Sequence, residues 1–477
     1  MYFCVMARKK TKEIQIATLN NINIDELCNK HIQRVSMPNM LNADDVFIAT
    51  GVQSQPVYAE KTTTIPKVNT LYPKYIALIH TIIMRCRASK KGVCYISAEL
   101  LQDVLGNHYQ DMLITLSFEG LISIGDYELG KKTRYYCLLP QHWEYVTYTS
   151  TKNIKVIDYI NRLDIEYINN QQIKNYKEDG FTIKYNKSLS LINLISSNDA
   201  ITYINKRKDL NPQQYHYYIG KIEEFNTWDK KITSIDDNGR IYHYFTNLPK
   251  SLKSFFFNIK IEIDISNSHP LLFSKFIIDY YNISNNILYD LLFNIDFIEV
   301  YNYHYSTQEL RKILRDKNID VPHIPIDVLL YLCNVAKGTF WDSLTTYFEG
   351  VDRGEVKQQL FAQVFYSNTL TMRNKAFGKV FKQHYPNVWK VIKSIKWDCI
   401  NDEEGVKLPC QMMQLESEIF RGILNECYNR GWHVFNIHDS IVVPVAEINE
   451  GVTAEELTAI IKDEYKKYGL FPSVSAK

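Results

Sequence analysis

Apolar positions recur at helical spacing along some stretches of the chain and alternate along others. "YIALIHTIIMRC", beginning at Tyr75, carries the i, i+3, i+4 spacing of an amphipathic helix. "ISAELLQDVLG" follows as a second helix, with Ser97 suited to cap it and Gly106 to stop it. "HYQDMLITLSFEGL" predicts a third. After it, "ISIGDYELGKKTRYYCLL" alternates as two strands around a Gly-Lys-Lys turn. Upstream, residues to about 70 are polar and irregular, and "KTTTIPKVNT" reads as a linker. Residues 150–235 are mostly helical and rich in Asn, Lys and Tyr, with no Gly-rich loop and no internal repeat.

From about Asp236 the pattern changes. "IEIDISNSHPLLFSKFIIDYY" is a strand, a lone acid and then a strongly apolar helix. Two more helical stretches follow, "IPIDVLLYLCNVAKGTFWDSLTTYF" and "RGEVKQQLFAQVF". The chain ends with the long helix "CQMMQLESEIFRGILNECYN", a hairpin around "FNIHDSIVVP", and the helix "TAEELTAIIKDEYKKYG".

The 477 residues allow two to four domains and more than one core. A formal net charge of +2 shows no global excess of positive charge that would advertise nucleic acid, although a large enzyme can still confine its basic residues to one groove. Apolar content of 45% and aromatic content of 13% fit a folded protein and exclude general disorder. The nine cysteines form no C-x-x-C pair, which argues for reduced thiols rather than a zinc ribbon. No apolar run reaches membrane-spanning length and the N-terminus lacks a signal-peptide pattern, so no membrane partner and a cytoplasmic location are expected.

Three short helices and a basic-tipped hairpin resemble a winged helix-turn-helix. That arrangement would put the third helix in a major groove and Lys131, Lys132 and Arg134 of the wing on phosphates. Protein contact is the alternative use of such a module.

Three segments carry candidate chemistry. Asp264 closes an alternating strand, where a carboxylate either holds Mg²⁺ or caps the next helix. Arg353, Lys357, Phe361 and Phe365 recur every four residues and so share one helical face. Two cations and two rings on a face fit a nucleoside triphosphate, the cations on phosphate and a ring on base or sugar. A half-buried helix with a solvated end is the plainer alternative. Asp439 sits in His438-Asp439-Ser440 between apolar runs, either as a hairpin-turn residue or as a metal ligand. Two acids and a basic helix between them are the outfit of two-metal phosphoryl transfer.

The order and local sequence of these segments resemble the three core motifs of family A DNA polymerases and the related single-subunit phage-type RNA polymerases. "DISNSHPLL" is similar to motif A, "RGEVKQQLFAQVFY" to the fingers helix of motif B, and "IHDSIVVP" to motif C. Weaker likenesses lie in "DDNGRIYHYFTNLPKSLKS" before motif A, "FKQHYPNVWKVIKSI" after motif B and "MQLESEIFRGIL" before motif C. The resemblance covers roughly 236–477. It implies two Mg²⁺, with Mn²⁺ able to substitute, held by Asp264, Asp439 and the backbone carbonyl of Ile265. It implies Arg353 and Lys357 on the incoming triphosphate, Lys357 as a general acid toward pyrophosphate, and Phe361 and Phe365 as the floor for base and sugar. Arg240, Gln414 and His438 would then meet primer and template.

The sequence departs from the family at several positions. His269 and Phe365 stand where many family members have a Glu and a Tyr that exclude ribonucleotides, so that hydroxyl–carboxylate gate is expected to be missing. Tyr366 replaces the usual Gly, and Ser440 is the residue favoured by the RNA enzymes. Phe361 and the Gly-Arg segment favour deoxynucleotides.

The expected fold is α+β: a right-hand polymerase with thumb, palm carrying an antiparallel sheet, and helical fingers, preceded by a small winged-helix domain. The expected divisions are 1–70 extension and linker, 71–148 winged-helix-like domain, 149–235 thumb-like region and 236–477 palm and fingers, with the fingers about 285–395. The expected function is a compact, exonuclease-less, template-dependent DNA polymerase of a phage, plasmid or mobile element, acting on a nucleic-acid primer-template (DNA) and nucleoside triphosphates. An RNA polymerase or primase shares the chemistry; a non-catalytic DNA-binding initiator is the alternative of another class.

Overall fold

A computed structural model describes residues 13–36, 66–125, 134–172, 176–192, 196–256, 259–284, 323–367, 376–401 and 407–476, with Lys312 and Asp316. The protein is mixed helical and sheet, consistent with the α+β expectation, and every strand pairing is antiparallel among these residues. The chain divides into two compact units: residues 1–174, 194–229 and 248–256 form the first, and 175–193, 230–247 and 257–477 the second. The stretch 149–235 is shared between both units. No described helix is long and apolar enough to cross a membrane.

The first unit contains β1 (Ile14–Leu19), α1 (Ile24–Ser36), α2 (Val68–Ala88), β2 (Cys94–Tyr95), α3 (Ala98–Leu105), α4 (Tyr109–Phe118), β3 (Ile122–Ile124), β4 (Tyr135–Leu138), β5 (Val146–Thr151) and α5 (Ile154–Gln172). The helical spacing of Leu71, Tyr75, Leu78, Ile82 and Cys86 turns one stripe of α2 into the core, where all five are buried. Ser97 caps α3 by accepting from the Leu100 N–H at 3.2 Å, and Gly106 ends it at φ +80°. β3 and β4 pair with Ile122 opposite Leu138, and β2 adds to the other edge of β4. Lys131 and Lys132 lie outside the described residues; Arg134, just before β4, is half-buried.

The N-terminal segment is a correction to the sequence expectation. β1 pairs with β5, and Ile14, Ile16, Leu19, Leu27 and Cys28 are buried in the core of this unit. Polar residues between the apolar ones hid the pattern: β1 alternates along a short strand, and α1 has only one narrow buried stripe.

The second unit is built on a four-stranded sheet ordered β11 (Val474–Ala476), β8 (Ile259–Ile265), β10 (Ser440–Pro444), β9 (Phe435–Ile437). Around it lie α6 (Gly180–Ser190), the small ladder of β6 (Ser234–Ile235) with β7 (Ile241–Tyr242), α7 (Ser268–Tyr281), α8 (Ile326–Ala336), α9 (Phe340–Thr345), α10 (Arg353–Leu360), α11 (Ala376–His384), α12 (Pro386–Asn401), α13 (Leu408–Asn429) and α14 (Ala454–Lys467). β10 is buried along its whole length, which explains its continuous apolar run. Gly422 lets α14 approach α13 closely: a Cβ there would meet Glu464 Oε1 at 2.1 Å.

Asn449 fixes the base of the β9–β10 hairpin. Fully buried, it accepts from the His433 N–H at 3.0 Å and donates to the carbonyls of His433 and Pro444, both at 3.0 Å. Asn449→Ala would leave one buried N–H and two buried carbonyls short of a partner. We expect a loss of about 2–4 kcal/mol in urea unfolding with an unchanged m-value.

Candidate active site

Strand β8 buries Ile261, Ile263 and Ile265 on one face, which leaves Glu262 and Asp264 half-buried between them. Antiparallel pairing with β10 sets Ser440 opposite Asp264. Ser440 also pairs with Ile437, so His438 and Asp439 are the two turn residues of the β9–β10 hairpin. The Ile265 N–H donates to the Asp439 carbonyl at 3.2 Å, tying the turn to the end of β8. The two predicted acids therefore come together and line one cleft of about 260 Å³. Ile265 lines it too; its carbonyl as a ligand remains an expectation.

Backbone and side chains at this corner are both constrained. Among the described residues four non-glycine positions have positive φ, and two of them, Asn267 and His438 at +54° each, flank the acids. Such conformations cost roughly 1–3 kcal/mol and persist only where the surrounding structure imposes them. The Ser440 hydroxyl donates to Asp264 Oδ1 at 2.9 Å and orients that carboxylate. Burial, and then the neighbouring charge of Asp264, hold the Asp439 carboxyl above its ordinary value. Two converging carboxylates form a donor set suited to Mg²⁺, which takes one or two carboxylates and completes its shell with phosphate and water.

The cationic side of the cleft comes from α10. Asp352 caps this helix by accepting from the Gly354 and Glu355 N–H groups at 2.7 and 3.2 Å. Arg353, Lys357 and Phe361 line the same cleft as the acids. Arg353 Nε donates to Asp342 Oδ1 at 2.6 Å, an exposed pair of little net worth that an incoming anion can displace. Lys357 Nζ lies 5.9 Å from the centre of the Phe361 ring.

Beyond Leu360 the helix does not keep its register. Phe361–Phe365 form one π-helical turn, closed by the Tyr366 N–H on the Phe361 carbonyl at 2.8 Å. The wider turn moves Phe365 off the cleft. Its ring is fully buried, with centroids 5.7 Å from Phe273 and 6.0 Å from Phe381, so Phe365 is core and not a floor for base and sugar. Tyr366 lines the cleft instead, stacked on Phe361 at 5.1 Å and 23°.

Position 269 carries no carboxylate, but a hydroxyl does face the imidazole: Tyr366 Oη lies 2.8 Å from His269 Nδ1. On the other side of the ring, Arg240 Nη2 donates to His269 Nε2 at 2.9 Å. Arginine has no acceptor, so Nε2 must accept and the imidazole proton sits on Nδ1, pointing at the tyrosine oxygen. Burial and then the Arg240 charge push the His269 pKa down to about 4, which keeps the ring neutral. Arg240 also pairs with buried Glu416, whose other oxygen accepts from the Ser268 hydroxyl at 3.2 Å. Arg240, expected along a duplex, thus has its guanidinium engaged within the protein.

Arg240, Gln414 and His438 nevertheless border a second cleft of about 310 Å³, in which Gln414 and His438 are exposed. Three residues of this region escaped sequence reasoning in their actual roles: Tyr366, Glu416 and Ser440. Glu416 was detectable, since it lies on the apolar stripe of α13 with Met412, Ile419 and Ile423. Nothing local signals the π-turn that exposes Tyr366.

No protein-family model and no curated protein matches the sequence. Among solved structures, the POL domain of Pol1 from M. smegmatis, in complex with DNA primer-template and dNTP, is 12% identical and covers 68% of this chain and 74% of its own, with a TM-score of 0.28. A likeness of that degree carries no argument about the chemistry of this cleft.

The acid pair makes a thermodynamic prediction. Because the folded Asp439 pKa is raised from 3.8, the native state holds the proton more tightly than the unfolded chain. Stability from this group is greatest below 3.8 and falls as pH rises through the higher folded value. Asp439→Asn should therefore raise the thermal midpoint at pH 7 in chelator, with the advantage shrinking as pH falls. Mg²⁺ should stabilise the wild type and leave the variant unchanged. A variant less stable than wild type at pH 7 without metal would contradict the account.

Proposed function

We propose that the chain is a template-dependent nucleotidyltransferase that extends a nucleic-acid primer with deoxynucleoside triphosphates. One observation carries this reading: Asp264, near the end of β8, and Asp439, in the turn leading into the paired strand β10, converge on a cleft that Arg353, Lys357 and Phe361 also line. Carboxylates, cations and an aromatic ring in one cleft are the groups that bind a metal-chelated triphosphate and stack its nucleoside.

Asp264 and Asp439, with the Ile265 carbonyl, would hold two Mg²⁺, which supply an activated attacking hydroxyl and neutralise charge on the leaving pyrophosphate. The remaining steps belong to the protein. Arg353 exchanges Asp342 for a phosphate oxygen, and Lys357 grips the same chain and gives a proton to the departing pyrophosphate. Phe361 and Tyr366, stacked together, support base and sugar. His269 fixes the Tyr366 hydroxyl beside that surface, where it can discriminate the sugar edge. Arg240 acts through His269 and Glu416 as a positioning residue, while Gln414 and His438 face the primer-template. We read the helices and hairpin from α2 to β4 as a winged-helix module that contacts DNA, and the whole as a compact polymerase of a mobile element, phage or plasmid.

Primer extension with Mg²⁺ on DNA and RNA templates, with dNTPs or rNTPs, tests the proposal. Asp264→Ala and Asp439→Ala should each abolish incorporation while primer-template binding persists; wild-type-like extension by either would sink the assignment. Incorporation confined to rNTPs would make it an RNA polymerase, and incorporation without template a terminal transferase.

The revised register gives a second test. Tyr366→Ala should raise the KM for dNTP and narrow the dNTP over rNTP preference by about tenfold, equal to about 1.4 kcal/mol. Phe365→Leu should keep that preference and cost roughly 1–2 kcal/mol of folding stability. The opposite pattern would restore Phe365 to the cleft.

A further inference from the structure

The first unit holds a cluster that the proposed polymerase chemistry does not use. His31 lies on the buried face of α1 and is completely enclosed. His108 is the cap residue of α4, and Asp111 stands three residues on, in its first turn. One ligand atom from each of His31, His108 and Asp111 lies within 4.8 Å of the other two, and His108 Nδ1 is 3.6 Å from Asp111 Oδ2.

His31 Nδ1 lies 3.0 Å from Tyr75 Oη, a contact that occupies that nitrogen and leaves Nε2 as the atom His31 can offer to a ligand. Nε2 is buried without a hydrogen-bond partner, a costly state for a polar atom unless something binds there. A ring whose second nitrogen is fixed by an outer hydrogen bond is the usual setting of a metal-binding histidine.

We propose that His31, His108 and Asp111 bind one divalent transition-metal ion of the zinc class, with water in the fourth position. Two imidazoles and one carboxylate suit Zn²⁺ and disfavour Mg²⁺ and Ca²⁺, which take oxygen ligands. Arg34, which faces both His31 and Asp111, offsets part of the charge attraction, so affinity rests on the imidazoles. The ion would join α1 to α4 and act as a staple of this unit.

The test uses the full chain, stripped of metal and titrated with Zn²⁺ or Co²⁺ in excess Mg²⁺ so that the carboxylate pair in the second unit is filled. We expect one ion per chain by elemental analysis, a Co²⁺ d–d absorption band, and a rise in thermal midpoint with Zn²⁺. His108→Ala and Asp111→Asn should each weaken binding by about 100-fold or more, and Tyr75→Phe by about tenfold. Zinc-edge X-ray absorption of the wild type, which depends on no variant, should show two imidazoles. Absence of Zn²⁺ binding, binding unaltered by the His108 and Asp111 substitutions, or a spectrum without imidazole scattering would each overturn the proposal.

Discussion

Two carboxylates forced toward each other by β-sheet register are the constraint around which the second unit is organised. Pairing β8 with β10 places Asp264 opposite Ser440, and the hairpin turn then leaves Asp439 beside it. Neither acid can be moved without shifting a strand by a residue, and such a slip would turn Ile263 and Ile441 out of the core. The hydrophobic pattern therefore holds the like charges together against their repulsion. The Ser440 hydroxyl on Asp264 and the positive charges across the cleft are arranged around that unfavourable pair.

A second layer of polar contacts lies behind the cleft. Arg240, Glu416, His269, Ser268 and Tyr366 form one connected network in which a buried carboxylate meets a guanidinium and a neutral imidazole passes the order on to a phenol. A buried ion pair seldom adds much net stability, so its value here is geometric. It fixes the tautomer of His269 and, through it, the orientation of the Tyr366 hydroxyl. The π-turn at Phe361–Phe365 completes the arrangement, giving Phe365 to the core and Tyr366 to the cleft.

How much of this was legible depended on how local the cause was. The amphipathic stripe of α2, the cap and stop of α3 and the β9–β10 hairpin follow from short-range spacing and were readable. The acids were nameable because a carboxylate between apolar runs is expensive unless used, and the cations because their four-residue spacing puts them on one helical face. The burial of β1 and α1 was not readable, since a strand of six residues gains its core only by pairing with β5, far along the chain. The π-turn was not readable either, because the spacing of Arg353, Lys357, Phe361 and Phe365 is that of an unbroken α-helix.

The sequence by itself determined the inventory: which residues carry charge, rings and hydroxyls, and on which kind of element each lies. Periodicity dictates that much, because burial of apolar stripes is a local demand on the chain. Only the tertiary structure decided the pairings. Asp264 meets Asp439, Tyr366 rather than Phe365 meets His269, and His31 meets His108 and Asp111, because strand register, one widened helical turn and helix packing are set by contacts between distant segments. Those contacts are long-range, and no pattern within a single segment specifies them.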